Sequence, residues 1–271
     1  MPEVYNKAAT FRPLTNDLRM KPKGQFALEI IGEEADGFDK GGDYSSFTVT
    51  PNIEENDVNS NEYPEKTLAL VDITTADITI GFSARMATNV LRRISMLSEQ
   101  KTFTQAAVAA GTITKMMAPN KLFSLGAMDV TVTTVLGPNA EEYVFGTHYE
   151  IDSATGMVGV LKHPDTVLAD ESGRAEVTVE FTAPEIEGRK AYGFMSNTTI
   201  RARILFRQKN KWGPQSAIEF WDVQLRPDGE IVLGGDGEEF AEVNFTGRVF
   251  ADPTRGAGYE LGRAIDLPRA A

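Results

Sequence analysis

The stretch Arg174-Ala175-Glu176-Val177-Thr178-Val179-Glu180-Phe181 decides the fold class. Its apolar and polar residues alternate with a strict period of two, the mark of a strand with one face on a core and one in water. The same rhythm returns in TTIRARILFRQK, where Ile200, Ala202, Ile204 and Phe206 face one way and Arg201, Arg203 and Arg207 the other. From Phe240 to Ala251 it sets Ala241, Val243, Phe245 and Val249 against Glu242, Asn244, Thr246 and Arg248. Alternation of this kind predicts antiparallel sheets, because strands of a parallel sheet are covered on both faces and read as continuous apolar runs. Further strands are predicted over Gln25–Ile31, Thr67–Ile73, Ala76–Phe82, Met128–Val135 and Ala217–Leu225.

Turn residues punctuate the strands. Asp152-Ser153-Ala154-Thr155-Gly156 lies between YEI and MVGVL, and Pro227-Asp228-Gly229 between VQLR and EIVL, so each predicts a hairpin. One segment breaks the period. After Ser83, taken as its N-cap, ARMATNVLRRISMLSE places Met86, Ala87, Val90, Leu91, Ile94 and Leu97 on a single stripe. This predicts one amphipathic helix over residues 84–99, lying on a sheet.

Two kinds of segment fit neither pattern. FTVTPNIEENDVNSNEYPEK, residues 47–66, starts as a strand, meets Pro51, and runs through acids and asparagines. It reads as a long loop, a feature that compact domains reserve for function. Residues 1–23 and 252–271 have no steady period and carry basic residues, among them Arg12, Arg19 and Arg255, so they read as extended arms.

Composition narrows the function. The chain has 271 residues, 41% hydrophobic, which supports a packed core. It contains no cysteine, so neither disulfides nor thiolate metal sites are available. The opening MPEVYNKAATFRPL has no apolar core of a secretory signal, and no apolar run reaches membrane-spanning length, so a protein made in a cytoplasm without membrane insertion is expected. A net charge of −12 lacks the basic footprint of a nucleic-acid binder.

No catalytic pattern emerges. His148 and His163 stand outside any HxxxH or HExxH spacing, and no serine sits in a G-x-S-x-G elbow. The acidic turns Asp36–Asp43 and Gly234–Glu239 do not match the ligand spacing of a calcium loop. Trp212 and Trp221 offer a sugar-stacking pair, though the apolar strand around Trp221 argues for a core position. No catalytic residue, metal site or cofactor is expected.

The order of these elements resembles that of the major tail tube proteins of long-tailed, siphovirus-type bacteriophages. An early strand, the long loop, the pair TLALVDI and ADITIGFS, and then the helix come first. YEIDSATGMVGVL, AEVTVEFTAPEIEG, RARILFR, WDVQLRPDGEIVL and FAEVNFTGRVFADP follow, and the likeness spans roughly residues 25–253. The resemblance implies an antiparallel β-sandwich over residues 24–251 with one flanking helix. It also implies a structural virion protein that stacks as homohexameric rings into a tube, with double-stranded DNA passing through without tight binding. Tape-measure and tail-end proteins are the implied partners, and the virion tail, assembled in the host cytoplasm, the implied location.

On this reading residues 33–66 are the inter-ring loop, with Glu33, Glu34, Asp36, Asp39, Asp43, Glu54, Glu55, Asp57, Glu62 and Glu65 as its contacts. Such a loop repels itself in the monomer and orders against a complementary surface, for which Arg12, Arg19, Arg201, Arg203, Arg207 and Arg255 are the candidates. Glu29, Asp72, Asp77 and Thr79 are the candidates to line the bore. Two alternatives stay open: a non-enzymatic β-sandwich binding module (an adhesin or carbohydrate-binding domain), and the tube of a contractile injection system.

Overall fold

A computed structural model describes residues 22–33, 37–60, 67–85, 88–210, 213–234 and 241–268. The strands are β1 (Gly24–Ile30), β2 (Asp39–Lys40), β3 (Tyr44–Ser60), β4 (Thr67–Ala84), β5 (Gln100–Gln105), β6 (Val108–Met117), β7 (Lys121–Ser124) and β8 (Thr131–Leu136). They continue as β9 (Tyr149–Asp152), β10 (Met157–Val160), β11 (Ala175–Ala183), β12 (Ile186–Tyr192), β13 (Arg201–Gln208), β14 (Gln215–Pro227), β15 (Val243–Val249) and β16 (Gly262–Leu267). One helix, α1 (Asn89–Ser95), follows β4. The protein is mainly β, with antiparallel sheets, as the alternation predicts, and one helix among the described residues.

The single domain expected over 24–251 divides into two compact units, residues 1–100 with 192–271 and residues 101–191, each with its own apolar cluster. A sequence pattern marks where a core face exists, not which core it joins.

In the first unit β2-β1-β13-β14-β15-β4-β3 form one sheet in that order, with β16 also on β14. Phe26 of β1 lies near one end of this order and Phe47 of β3 at the other, yet their rings are 5.6 Å apart. Phe47 stacks on Phe206 of β13 at 4.6 Å, and Phe82 on Phe245 at 4.9 Å. Strands spaced about 4.8 Å apart in a flat sheet would hold these ends far apart. The sheet is therefore rolled, its two halves packing face to face around one aromatic core. Val90, Leu91 and Ile94 of α1 join that core.

The helix is shorter than expected. Thr88, not Ser83, is its N-cap, accepting the Leu91 N–H at 3.3 Å, and Leu97 at φ 49° ends it. Ser83 belongs to β4, where its hydroxyl reaches Asn244. Sheet pairing with β15 through Ala84 outcompetes the helical period there. Met86 and Ala87 lie outside the described residues.

In the second unit the three-stranded sheets β6-β11-β8 and β7-β10-β9 share a core that includes Val135, Val158, Val160, Val177, Val179 and Phe181. The Asp152–Gly156 hairpin forms as predicted, with Asp152 opposite Met157 and Gly156 at φ 66°, the left-handed region that glycine enters freely. The hairpin expected at Pro227–Gly229 does not form. Residues 230–234 are not a strand, and the Asp228 N–H instead donates to Asn244 O.

The turn of the Asp152 hairpin is pH-sensitive. The Thr155 hydroxyl, and then the backbone N–H groups of Ala154 and Thr155, hold the Asp152 carboxyl below its ordinary range. A depressed carboxyl contributes stability that is present above the unfolded value near about 3.9 and lost as pH falls through the lower folded value. The protection factors of the Ala154 and Thr155 amides, which remove the intrinsic pH dependence of exchange, should therefore fall below about pH 4, while that of buried Val158 falls only on global unfolding.

Candidate assembly surface

The segment read as a structureless loop is half of a long ribbon. β3 and β4 pair from Tyr44 opposite Ala84 to Ser60 opposite Thr67. This corrects the expectation for residues 47–60: Pro51 is tolerated because β3 is an edge strand, and the asparagines and acids are polar positions of an exposed strand. Asp39 is in β2, paired with Leu28 of β1. Glu34, Asp36, Glu62 and Glu65 lie outside the described residues.

Among the described residues only the base of the ribbon belongs to the rolled sheet. β15 pairs with β4 no farther than Thr79, so Pro51–Ser60 and Thr67–Ile78 pair there with each other alone. At about 3.4 Å per residue this two-stranded projection is roughly 30 Å long. The pairs Val49–Ile80, Pro51–Ile78, Ile53–Ala76, Glu55–Ile73 and Asp57–Val71 share the face that at Phe47 and Phe82 meets the core. That face carries the apolar pattern outward past the core, leaving Ile53 56% and Ile73 58% exposed, with Val49 and Val71 also exposed. The opposite face is polar and internally tied: Asn52 Nδ2 donates to Asp77 at 2.7 Å and to Thr79 at 2.9 Å, and Thr75 donates to Glu54 at 3.0 Å.

The charges predicted to act together are distributed otherwise. Glu54, Glu55, Asp57 and Asp72 are exposed on the ribbon. Glu33, expected at a contact between rings, is engaged within its own chain: its carboxylate accepts from Arg93 Nη1 and Nη2 at 2.6 and 2.7 Å. Arg93 is buried and also donates to Ser98 O, so the pair anchors the segment after β1. Asp43 is exposed, and its backbone carbonyl accepts the Arg85 N–H.

Part of the expected basic surface is neutralised within the chain. Arg201 forms a two-pronged pair with Asp222, Arg255 pairs with Asp252 at 2.9 Å, and Arg207 is exposed with no ion-pair partner among the described residues. Arg12 and Arg19 lie outside the described residues. The candidates for the bore fall on separate strands. Glu29 stands opposite Arg203 on the outer face of β1, while Asp77 and Thr79 lie on the outer face of β4, across the roll. Asp72 is on the ribbon.

Sequence reasoning missed one cluster. Trp221 is 6% exposed, but it sits outside the aromatic core, on the outer face at a bulge where β14 passes Arg203. Its indole N–H donates to Tyr259 O at 2.7 Å, and the guanidinium carbons of Arg255, Arg263 and Arg203 lie 4.2, 5.1 and 5.3 Å from its ring. β16 supplies Arg263. The presumed C-terminal arm is thus partly a strand of the main sheet, pairing with β14 from Gln215 to Phe220.

In the second unit Tyr143 OH lies 2.7 Å from His163 Nδ1, and burial pushes the phenol up to about 12. His148 Nδ1 accepts the Val144 N–H. Both histidines are hydrogen-bonded within this unit.

A mainly β protein of antiparallel sheets with one short helix, from whose rolled sheet a bare two-stranded ribbon projects, is the class these features define. Residues 22–264 match the family described as "Protein of unknown function UCP028589", and the chain belongs to that family. No curated protein matches the sequence.

Proposed function

We propose that the protein is a structural, non-enzymatic subunit that self-assembles through the β3–β4 ribbon into stacked hexameric rings, forming a phage tail tube through which double-stranded DNA passes. The ribbon carries this reading. An isolated two-stranded hairpin is at best marginally stable in water, and this one extends its apolar face beyond the cores formed by the described residues. β3 also leaves its outer edge unpaired among the described residues over 17 residues, an edge that soluble proteins normally blunt or cover. Burying the apolar face and pairing the edge in an assembly would satisfy both needs. The ring number, the DNA cargo, the virion location and the partnership with tape-measure and tail-end proteins come from the resemblance in element order. The net charge of −12 suits a conduit that must not hold phosphate.

Negative-stain microscopy of the purified protein tests the reading, with six-fold rings or tubes expected. A chain that remains monomeric at high concentration, at every salt concentration tried, would overturn it. Assembly rate followed by light scattering should also change between low and molar sodium chloride, because the exposed carboxylates of the ribbon interact over a Debye length of about 10 Å at 0.1 M and about 3 Å at 1 M.

A further inference from the structure

The cluster around Trp221 gathers three arginines beside exposed apolar side chains. A cavity of about 410 Å³ opens there, lined by Arg203, Trp221, Arg255, Tyr259, Arg263 and Ile265 among others. Two of its arginines are already hydrogen-bonded to carboxylates, Arg263 to Glu219 at 2.8 Å and Arg255 to Asp252 at 2.9 Å. Arg203 is different. Its nearest carboxylates, Glu29 and Glu219, stand 3.7 and 3.8 Å away, beyond hydrogen-bond range, and its buried Nε has no partner. The guanidinium is held instead between aromatic rings, 5.3 Å from both Phe38 and Trp221. A planar guanidinium fixed in place, with its Nε unbonded and both of its carboxylate neighbours outside hydrogen-bond range, is a group that can take a carboxylate in two-pronged fashion. Tyr259 and Ile265, both largely exposed, provide the apolar wall beside it.

The ribbon carries the complementary pattern. On its apolar face Glu55 and Asp57 stand beside Ile53, Val71 and Ile73, and no lysine or arginine occurs in β3 or β4. We infer that the Arg203–Trp221 cavity receives the β3–β4 ribbon of a second copy of this chain, with Glu55 or Asp57 on the Arg203 guanidinium and the neighbouring aliphatic side chains against Tyr259 and Ile265. This inference rests on the assembly reading and names the surface that assembly uses.

The absence of cysteine makes a direct test clean. Ala76→Cys chains, altered on the ribbon face that carries the two carboxylates, are mixed with Ile265→Cys chains, altered at the cavity wall, and oxidised with diamide. A mixed disulfide should form at least tenfold faster than with a control Glu171→Cys chain. Rings or tubes that assemble without that preference overturn the docking and leave the assembly reading standing. A mixture that stays monomeric overturns both. Arg203→Lys keeps the charge but loses the fork, and should raise the critical concentration for assembly at least tenfold with an unchanged melting curve; an unchanged critical concentration overturns the role of Arg203. In a Trp212→Phe background, a shift of Trp221 emission by millimolar inorganic phosphate, with assembly unaffected, would assign the cavity to a free oxyanion and overturn the inference.

Discussion

Replacing Ile53–Ala76 by Asn-Gly should abolish assembly while leaving a folded monomer. Asn52 and Asp77 face each other in the ladder and are hydrogen-bonded, so an Asn-Gly turn can close the shortened hairpin there. Nothing in the aromatic core depends on the deleted segment, since the last core residues on these strands are Phe47 on one side and Ile78, Ile80 and Phe82 on the other. What is lost is the projecting face with Ile53, Val71 and Ile73. Burying one aliphatic side chain contributes about 1.5–3 kcal/mol. Two such residues per contact amount to roughly 3 kcal/mol or more, over a hundredfold in association constant. Sedimentation velocity would show a compact monomer with the melting temperature of the parent chain. Tubes of normal length from the deleted chain would refute the role given to the ribbon.

Phe82→Ala should destabilise the first unit by about 3–5 kcal/mol, the usual cost of emptying a buried phenylalanine site. Phe82 is almost fully buried, with ring centroids 5.2 Å from Phe26, 5.9 Å from Phe47 and 4.9 Å from Phe245. These partners come from β1, β3 and β15, so the cavity would open where the two halves of the rolled sheet meet. Collapse there would require the halves to close on each other. Urea unfolding monitored by circular dichroism checks the magnitude. A loss below about 1 kcal/mol would mean that the halves do not pack as a shared core. At the half-buried neighbour, Thr79→Ala, which removes one hydroxyl from Asn52, should cost about 1 kcal/mol or less.

The alternating strands were legible because a period of two needs only one buried face to be visible. Ala202, Ile204 and Phe206 are buried as their spacing predicts, and so are Val177, Val179 and Phe181. Half of the ribbon was legible, since Thr67–Ile73 and Ala76–Phe82 are both within β4, but β3 was hidden. Glu55 and Asp57 interrupt its apolar period, and Pro51 with its acidic neighbours is the vocabulary of loops. The helix was overextended for the opposite reason: Ile78, Ile80, Phe82 and Ala84 continue as strand into a segment whose apolar spacing also suits a helix. Arg201, Arg203 and Arg207 stand on the face opposite the buried residues of β13, as their spacing predicts, yet their partners were not readable. Arg201 with Asp222, and Arg203 with Glu29, meet only because β13 lies beside both β14 and β1.

By itself the sequence determined that this is an antiparallel β protein with one helix, no cysteine chemistry, and an acidic, unusual segment between its early strands. Those properties are local, since each is written in the spacing of a few consecutive side chains or in bulk composition. Only the tertiary structure decided that two cores form, that one sheet rolls so that Phe26 reaches Phe47, and that Trp221 lies beneath three arginines rather than in the core. These outcomes depend on which strands become neighbours. Pairing between distant segments is selected by the burial and hydrogen bonding of the whole sheet, a sum that no single stretch of the chain contains.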